Sequence, residues 1–430
     1  MIVLLCYGFY LPLSYDESYT FIQFVNRSIF YATCTYPVPN NHVLHSIFSN
    51  ISWHILGWTN LALIVRIPSI LASYLLMNIF ITKISKNNLF YSGLFLILLL
   101  FNFPYLAFSF QARGYSFQIL IAVITLVIIF KSSNIKTFKD KNNLILFFST
   151  LGLYTSPAYL YTFLPLYSLF LIINKNFCLE FVKYILKSGV FFTLTVILLY
   201  APIMIFRGYE SIIHNRYVAP LDHLSIHEAF NHITISFTEV LGGKIISLLV
   251  LLLVVFYTIV KRRFVILVLF LIPIILMLVL KQTPFSRVFL PLAIVVVVLA
   301  IADLKDGFKN TKQLNPMIYI LFIGVSIAIS TFLFFENPNG GLETSYRVKY
   351  LSKHFDNRDV YLTPNTHDYL KTPIEAYLQV NEINYTLLNK DTKLKEGSIL
   401  IYSEKNIENI KILDSVPSLN KKVYVGKVVF

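Results

Sequence analysis

The chain has 430 residues, 56% hydrophobic and only 13% charged, with a mean hydropathy of +0.67. Soluble domains carry about 25% charged residues, so the composition excludes an ordinary soluble domain and indicates a polytopic α-helical membrane protein. The net charge of +14 is not a nucleic-acid signal: about 15 of the 23 Lys and Arg before residue 337 fall in short loops that alternate along the chain, which is the positive-inside pattern.

Residues 1–13 (MIVLLCYGFYLPL) open the series and would span about 20 Å as helix, against a hydrocarbon core of roughly 30 Å. They have no basic n-region and no small-residue cleavage site, so a cleaved signal peptide is not expected. A start placed too late, losing several cytoplasmic residues, is the preferred explanation. Ten more crossings are expected at about 61–82, 88–107, 115–130, 144–156, 158–173, 188–206, 244–260, 264–280, 288–303 and 316–335. The basic loops between them, Lys83 to Lys86, Lys131 to Lys141, Lys175 to Lys187, Lys261 to Arg263 and Lys305 to Lys312, are assigned to the cytoplasm. About 11 crossings place the N-terminus inside and the C-terminal tail outside, with all nine histidines on the outer side. Cys6, Cys34 and Cys178 fall in membrane, outer loop and cytoplasmic loop, so no disulfide framework is implied.

The transmembrane domain therefore covers residues 1–336, with outer loops at 14–60 and 207–243. Asn337-Pro338-Asn339-Gly340-Gly341 reads as a linker. Beyond it, residues 337–430 alternate between helix and strand: helices over Tyr346 to Phe355 and His367 to Val380, strands over Asp359 to Leu362 and near Ile383 to Leu388, Ser398 to Tyr402 and Lys422 to Phe430. That pattern predicts a small C-terminal α/β domain on the outer face. No internal repeat and no Walker, Rossmann or C-x-x-C signature is present.

The first 336 residues hold only 11 Asp and Glu, so the adjacent pair Asp16-Glu17, where a bilayer meets water, stands out. Charges at such depth are expensive and usually functional. The same outer loop continues with Tyr36-Pro37-Val38-Pro39-Asn40-Asn41-His42-Val43-Leu44-His45 and an amphipathic stretch through Trp53 and Trp58, which reads as a helix lying in the interface. Arg66-Ile67-Pro68-Ser69 heads the second crossing, and Gln111-Ala112-Arg113-Gly114-Tyr115 ends an outer loop. In this order, these motifs resemble the GT-C glycosyltransferases, integral-membrane enzymes that use polyprenyl-phosphate-linked sugars. Within them the chain looks most like the dolichyl-phosphate-mannose mannosyltransferase-related bacterial group, which includes lipopolysaccharide-core galacturonosyltransferases and the lipid A aminoarabinose transferase. Two departures stand out. His42-Val43 replaces the usual His-Pro-Pro or Lys-Pro-Pro, and Ser109-Phe110-Gln111-Ala112-Arg113 lacks the acid and first base of Arg-Glu-Ala-Arg.

The resemblance implies an inverting transfer of a sugar from a polyprenyl-phosphate donor to an acceptor hydroxyl on a glycan, lipid or protein at the outer face. It gives the general base to Asp16, with Glu17 orienting it or holding the sugar. His42, Arg66 and Arg113 become candidate contacts to the donor phosphate, through charge-assisted hydrogen bonds for the arginines. The turn Lys281-Gln282-Thr283-Pro284-Phe285-Ser286-Arg287 offers Lys281 or Arg287 as a further contact. Tyr15, Asn41, His45, Tyr115, Arg207 and Arg216 are candidates for the acceptor site or a lid over it. Plainer readings stand beside these. Arg66 and Arg113 could be snorkelling anchors, and the 207–243 loop could be merely solvated. His42 and His45 with Asp16 could take a divalent metal, but two histidines and nearby acids do not make a site, so no metal or other cofactor is predicted. The rival functions are a non-catalytic flippase or transporter of lipid-linked sugars, which lacks its usual repeats here, and a glycan polymerase or ligase. Lys-, Asn- and Ile-rich usage with short loops points to a bacterial chain in the inner (cytoplasmic) membrane, with undecaprenyl phosphate as carrier.

Overall fold

The computed structural model describes every residue except 37–40, 58–61, 132–136, 175–178, 214–222, 245–246, 249, 251, 253–263, 308–323, 331, 333–341, 356–358, 364–367, 389–393, 404–408, 419–420 and 430. About 76% of the described residues are helical, and a small sheet lies at the C-terminus. In chain order the first helices are α1 (Ile2–Tyr10), α2 (Tyr15–Thr20, continuing as a π-turn over Phe21–Val25), α3 (Ile29–Cys34) and α4 (Val43–Leu56). α5 (Ala62–Ile79) is extended by a π-turn, Phe80–Ile84, and is followed by α6 (Leu89–Leu100), α7 (Phe103–Phe110), α8 (Tyr115–Lys131) and α9 (Phe138–Thr155). Then come α10 (Leu160–Ile173), α11 (Leu179–Arg207), α12 (Glu210–Ile213), α13 (Ile226–Val240), α14 (Val268–Leu280) and α15 (Leu290–Gly307).

Among the described residues, two helices are long and apolar enough to cross a bilayer: Ala62–Ile84 and Leu179–Arg207. α11, with 29 residues, spans about 43 Å at 1.5 Å per residue. Of its apolar side chains only Tyr200 and Ile203 are buried, as befits a lipid-facing helix. α15 is the opposite case: Leu290 to Ile301 are buried because α6, α8, α10 and α13 surround it. The crossing expected at 88–107 is not one straight helix. α6 and α7 meet at 87°, because Asn102 caps a new helix by accepting from Tyr105 N at 2.9 Å, with Pro104 in its first turn. Most of the expected crossings 244–260 and 316–335, and the linker 337–341, lie outside the described residues.

The helix ends sort by chemistry. Lys305, at the end of α15, donates to Ile84 O (3.0 Å) and Ser85 O (2.6 Å) at the end of α5. Tyr184 of α11 donates to Asn143 Oδ1 of α9 at 2.7 Å. The loops 83–86 and 305 thus share one end of the bundle, while α5, α8 and α15 all begin at the other, near Arg66, Arg113 and Arg287.

The C-terminal part contains α16 (Glu343–Ser352), β1 (Val360–Leu362), α17 (Asp368–Val380), β2 (Tyr385–Leu387), β3 (Ile399–Tyr402), β4 (Ile410–Ser418) and β5 (Lys421–Val428). The sheet order is β2-β1-β3-β5-β4, with β1 parallel to β2 and β3, and β5 antiparallel to β3 and β4. Its own core gathers Val348, Leu370, Ile374, Ile401 and Val425. β4 was not expected from sequence; a bulge between Ile412 and Asp414 breaks its alternation, and Pro417 sits in it at the sheet edge. α17 rests on the back of α2, where Ala376 and Val380 pack against Leu13, Phe21 and Val25. Tyr15 N donates to Thr344 Oγ1 at 2.9 Å across the same seam.

Candidate functional site

The adjacent acids of α2 have different surroundings for a simple reason: successive helical residues point about 100° apart. Glu17 turns inward and is fully buried. Its Oε1 accepts from Arg66 Nε (2.7 Å) and Ala112 N (2.7 Å), and its Oε2 from Arg66 Nη2 (2.7 Å) and Ser14 N (2.9 Å). The last bond is half of a capping box, set by the spacing Ser14-x-x-Glu17. Burial alone would raise the Glu17 carboxyl, but the Arg66 charge and the hydrogen bonds outweigh it and hold the group below the ordinary carboxylate range.

Arg66 is 0% exposed, and each of its five N–H donors has an acceptor: the two Glu17 oxygens, Gly8 O, Leu11 O and Pro12 O. It has nothing left to offer a phosphate. The expected phosphate role for Arg66 is therefore corrected: it is a clamp that ties α1, α2 and α5 together. Glu17 is corrected likewise, since neither oxygen can hold a sugar or orient Asp16 directly.

Asp16 turns the other way and stays 34% exposed. Its Oδ2 lies 2.7 Å from Arg113 Nη1 and 3.6 Å from Arg287 Nη1. The scaffold explains how Arg113 arrives there. Glu17 pins Ala112 N, and the next residue, on a tight turn closed by Arg113 N to Gln111 O at 2.7 Å, swings its guanidinium onto Asp16. Arg113 is 1% exposed, whereas Arg287 is 38% exposed. Arg287 is thus the cation that an incoming anion can reach. Its turn is held by α13, where His232 Nε2 bonds Pro284 O at 2.7 Å and Glu239 accepts from Ser286 Oγ. Helix α13 belongs to the 207–243 loop, so this part of that loop is ordered structure, not solvated chain.

His45 is fully buried on α4, bonded through Nε2 to Ser69 Oγ at 2.7 Å and through Nδ1 to Ser49 Oγ at 3.3 Å. Ser69 donates onward to Arg113 O at 3.1 Å and Ser49 to Val65 O at 2.8 Å, so each hydroxyl has its one proton committed and a neutral His45 donates from Nε2 to Ser69. Burial, then the Arg113 charge, lowers His45 to about 3. It is a neutral strut under the Arg113 turn, a correction to its place among acceptor or lid candidates. His42 is 4% exposed, and neither ring nitrogen has a hydrogen-bond partner among the described residues. Burial first, then Arg113, His45 and Arg287, pushes it well below its ordinary value. His42 is therefore a neutral imidazole, with one donor and one acceptor nitrogen. Gly114 lets it approach: a Cβ there would lie 2.8 Å from His42 Nδ1 and 2.3 Å from Thr155 Cγ2.

Tyr115 is buried between His42 (ring centroids 5.0 Å apart) and Phe108 (4.5 Å), and it also neighbours Arg287. That makes it a wall of the site and not a lid. Asn41 is buried and closes its own loop, its Nδ2 donating to Ala32 O (3.0 Å) and Thr35 O (2.8 Å), while its Oδ1 has no hydrogen-bond partner among the described residues. Tyr15 contacts the C-terminal part through its backbone. Lys281 is exposed in a left-handed cap at φ 50°, and Arg207 is exposed at the end of α11; no contact with Asp16 is seen for either among the described residues. Arg216 and Trp58 lie outside the described residues. Sequence reasoning missed Tyr36, a buried hydroxyl beside Arg113, Tyr115 and Ser156, which burial keeps protonated. Its signal was its place at the head of the Pro-rich run before His42. No group of three or more His, Cys, Asp or Glu converges among the described residues. The arrangement offers one partly exposed carboxylate, one reachable cation and a neutral imidazole, set over a closed ionic scaffold. No protein family, curated protein or solved structure matches the chain.

Proposed function

We propose that the chain is a polytopic GT-C-type glycosyltransferase of about 11 crossings, moving a sugar from a polyprenyl-phosphate donor to an acceptor hydroxyl at the outer face of a bacterial cytoplasmic membrane. The observation that carries this reading is the Asp16–Arg113–Arg287 cluster, which lies at the end of the bundle opposite the Lys83–Lys86 and Lys305 end. By the positive-inside rule the basic end is cytoplasmic, so the cluster and the C-terminal α/β domain face outward.

In this mechanism Asp16 takes the proton of the acceptor hydroxyl as its oxygen attacks the anomeric carbon. The sugar–phosphate C–O bond breaks on the opposite face, and its electron pair leaves on the polyprenyl phosphate. Inversion follows from that geometry. Arg287 meets the phosphate charge, while Arg113 fixes the orientation of the base. His42, being neutral, serves a sugar hydroxyl or a phosphate oxygen by hydrogen bonding alone. General-base catalysis of this kind contributes roughly 10²- to 10⁴-fold. Membranes carrying Asp16→Asn, given radiolabelled polyprenyl-phosphate sugars and an extract of outer-face acceptors, are expected to lose transfer by that factor with the protein still folded and inserted. Full transfer by Asp16→Asn contradicts the assignment.

A further inference from the structure

A second feature lies away from Asp16, in the seam between α1 and α16. A groove of about 740 Å³ runs there, with Ile2, Val3 and Cys6 on its apolar side and Tyr10, Tyr346 and Lys349 at its polar end. That volume falls in the range of small-molecule sites, roughly 300–1,000 Å³. Eight residues of helix separate Ile2 from Tyr10, or about 12 Å. One leaflet's share of a roughly 30 Å hydrocarbon core is similar.

The polar end is built around one ammonium. Lys349 Nζ donates to Tyr10 O at 2.7 Å and sits 3.0 Å from the Tyr10 ring centroid. The two cations beside it on α16 are already neutralised: Arg347 by Glu343 at 3.4 Å and Lys353 by Asp414 at 2.9 Å. Lys349 has no carboxylate partner among the described residues. Burial lowers its proton affinity, the cost of a cation held without an anion. With one hydrogen of the ammonium on Tyr10 O and one facing the Tyr10 ring, the third remains for an acceptor that enters from the groove.

We infer that this groove holds an anionic glycerophospholipid of the outer leaflet, its chains along α1 and its phosphate on Lys349. A cation at the boundary, tyrosines at headgroup depth and an apolar trough of one-leaflet length form a head-and-tail pattern. A lipid spanning one leaflet matches this length. The inference rests on α1 lying in a bilayer, but not on the chemistry at Asp16. The bound lipid would cover the seam between α1 and the C-terminal domain.

The test is lipid retention by the detergent-solubilised full chain, read by native mass spectrometry, with phosphatidylglycerol and phosphatidylcholine of identical chains. One interfacial lysine is worth about fivefold in affinity for anionic lipid. Wild type is expected to favour phosphatidylglycerol by about that factor, Lys349→Arg to keep the preference and Lys349→Gln to lose it. Lys411→Gln, the same charge loss on exposed β4, should leave the preference intact. Cys6, exposed in the groove, should be alkylated more slowly in wild type when phosphatidylglycerol is added, and not in Lys349→Gln. Equal retention of the two lipids overturns the inference while leaving the bilayer reading in place. Retention of neither overturns the inference and the bilayer placement of α1 together. Displacement of phosphatidylglycerol by equimolar undecaprenyl phosphate also overturns it, assigning the groove to the donor.

Discussion

Glu17 and Asp16 are neighbours in the chain, yet they sit in opposite electrostatic worlds. Glu17 is buried, bonded by four donors and matched by an arginine whose own five donors are all used. Asp16 is one-third exposed, and of its two arginines Arg287 is exposed as well. A saturated pair holds structure and has no valence left for a substrate, while an open one can exchange partners during a reaction. The two regions are also linked through space, because Glu17 accepts from Ala112 N and the adjoining residue is Arg113.

Several measurements can break or sharpen that contrast. The largest effect is expected from Glu17→Gln, which leaves Arg66 charged in the core; removing one partner of a buried pair costs about 3–5 kcal/mol. A thermal unfolding scan in detergent should register that loss, and an unchanged midpoint would erase the distinction between the two acids. Next comes acid. The unfolded chain protonates His42 and His45 near pH 6.5, but the folded one holds both neutral, His45 down to about 3. Stability from these groups is therefore full above pH 6.5 and falls below it, by about 1.4 kcal/mol per pH unit for each histidine. One unit below 6.5 the pair should cost about 3 kcal/mol, and His45→Gln should shallow the slope. Glu17 adds its own loss at lower pH, as the pH falls from the ordinary carboxylate value of 4.5 toward its lower folded value.

On the open side, Arg287→Ala should weaken use of the donor by roughly 10- to 100-fold, the worth of a charge-assisted contact, without lowering the unfolding midpoint. A fall in stability with unchanged donor KM would move Arg287 to the scaffold. The smallest effect is expected from Gly114→Ala, where the new Cβ meets Thr155 and His42. Overpacking of this kind costs about 1–3 kcal/mol, and donor affinity should fall with it as His42 is displaced.

Much of this was legible in the sequence, though unevenly. Hydropathy located α5, α8, α10, α11, α14 and α15, because each is a long apolar run. Asn102-Phe103-Pro104 carried the signal for the 87° break, a cap followed by proline in the first turn. The spacing Ser14-x-x-Glu17 likewise marked Glu17 as a capping residue, and the 100° helical step implied that Asp16 must face elsewhere. What no local pattern contains is the pairing of Glu17 with an arginine 49 residues away, nor the relay from His45 through Ser69 to Arg113. Those contacts depend on how α2, α4, α5 and the α7–α8 turn assemble, and they separate Arg66 from Arg113, which had looked equivalent.

The most direct measurement places Asp16→Asn and Glu17→Gln side by side, each assayed for sugar transfer from a polyprenyl-phosphate donor and for its unfolding midpoint. The expected result is a crossed pattern. Asp16→Asn keeps the wild-type midpoint and loses transfer by roughly 10²- to 10⁴-fold, whereas Glu17→Gln loses the midpoint, and whatever fraction stays folded still transfers. Wild-type transfer by a folded Asp16→Asn protein, or an intact midpoint with lost transfer in Glu17→Gln, would contradict the division of labour between the two acids.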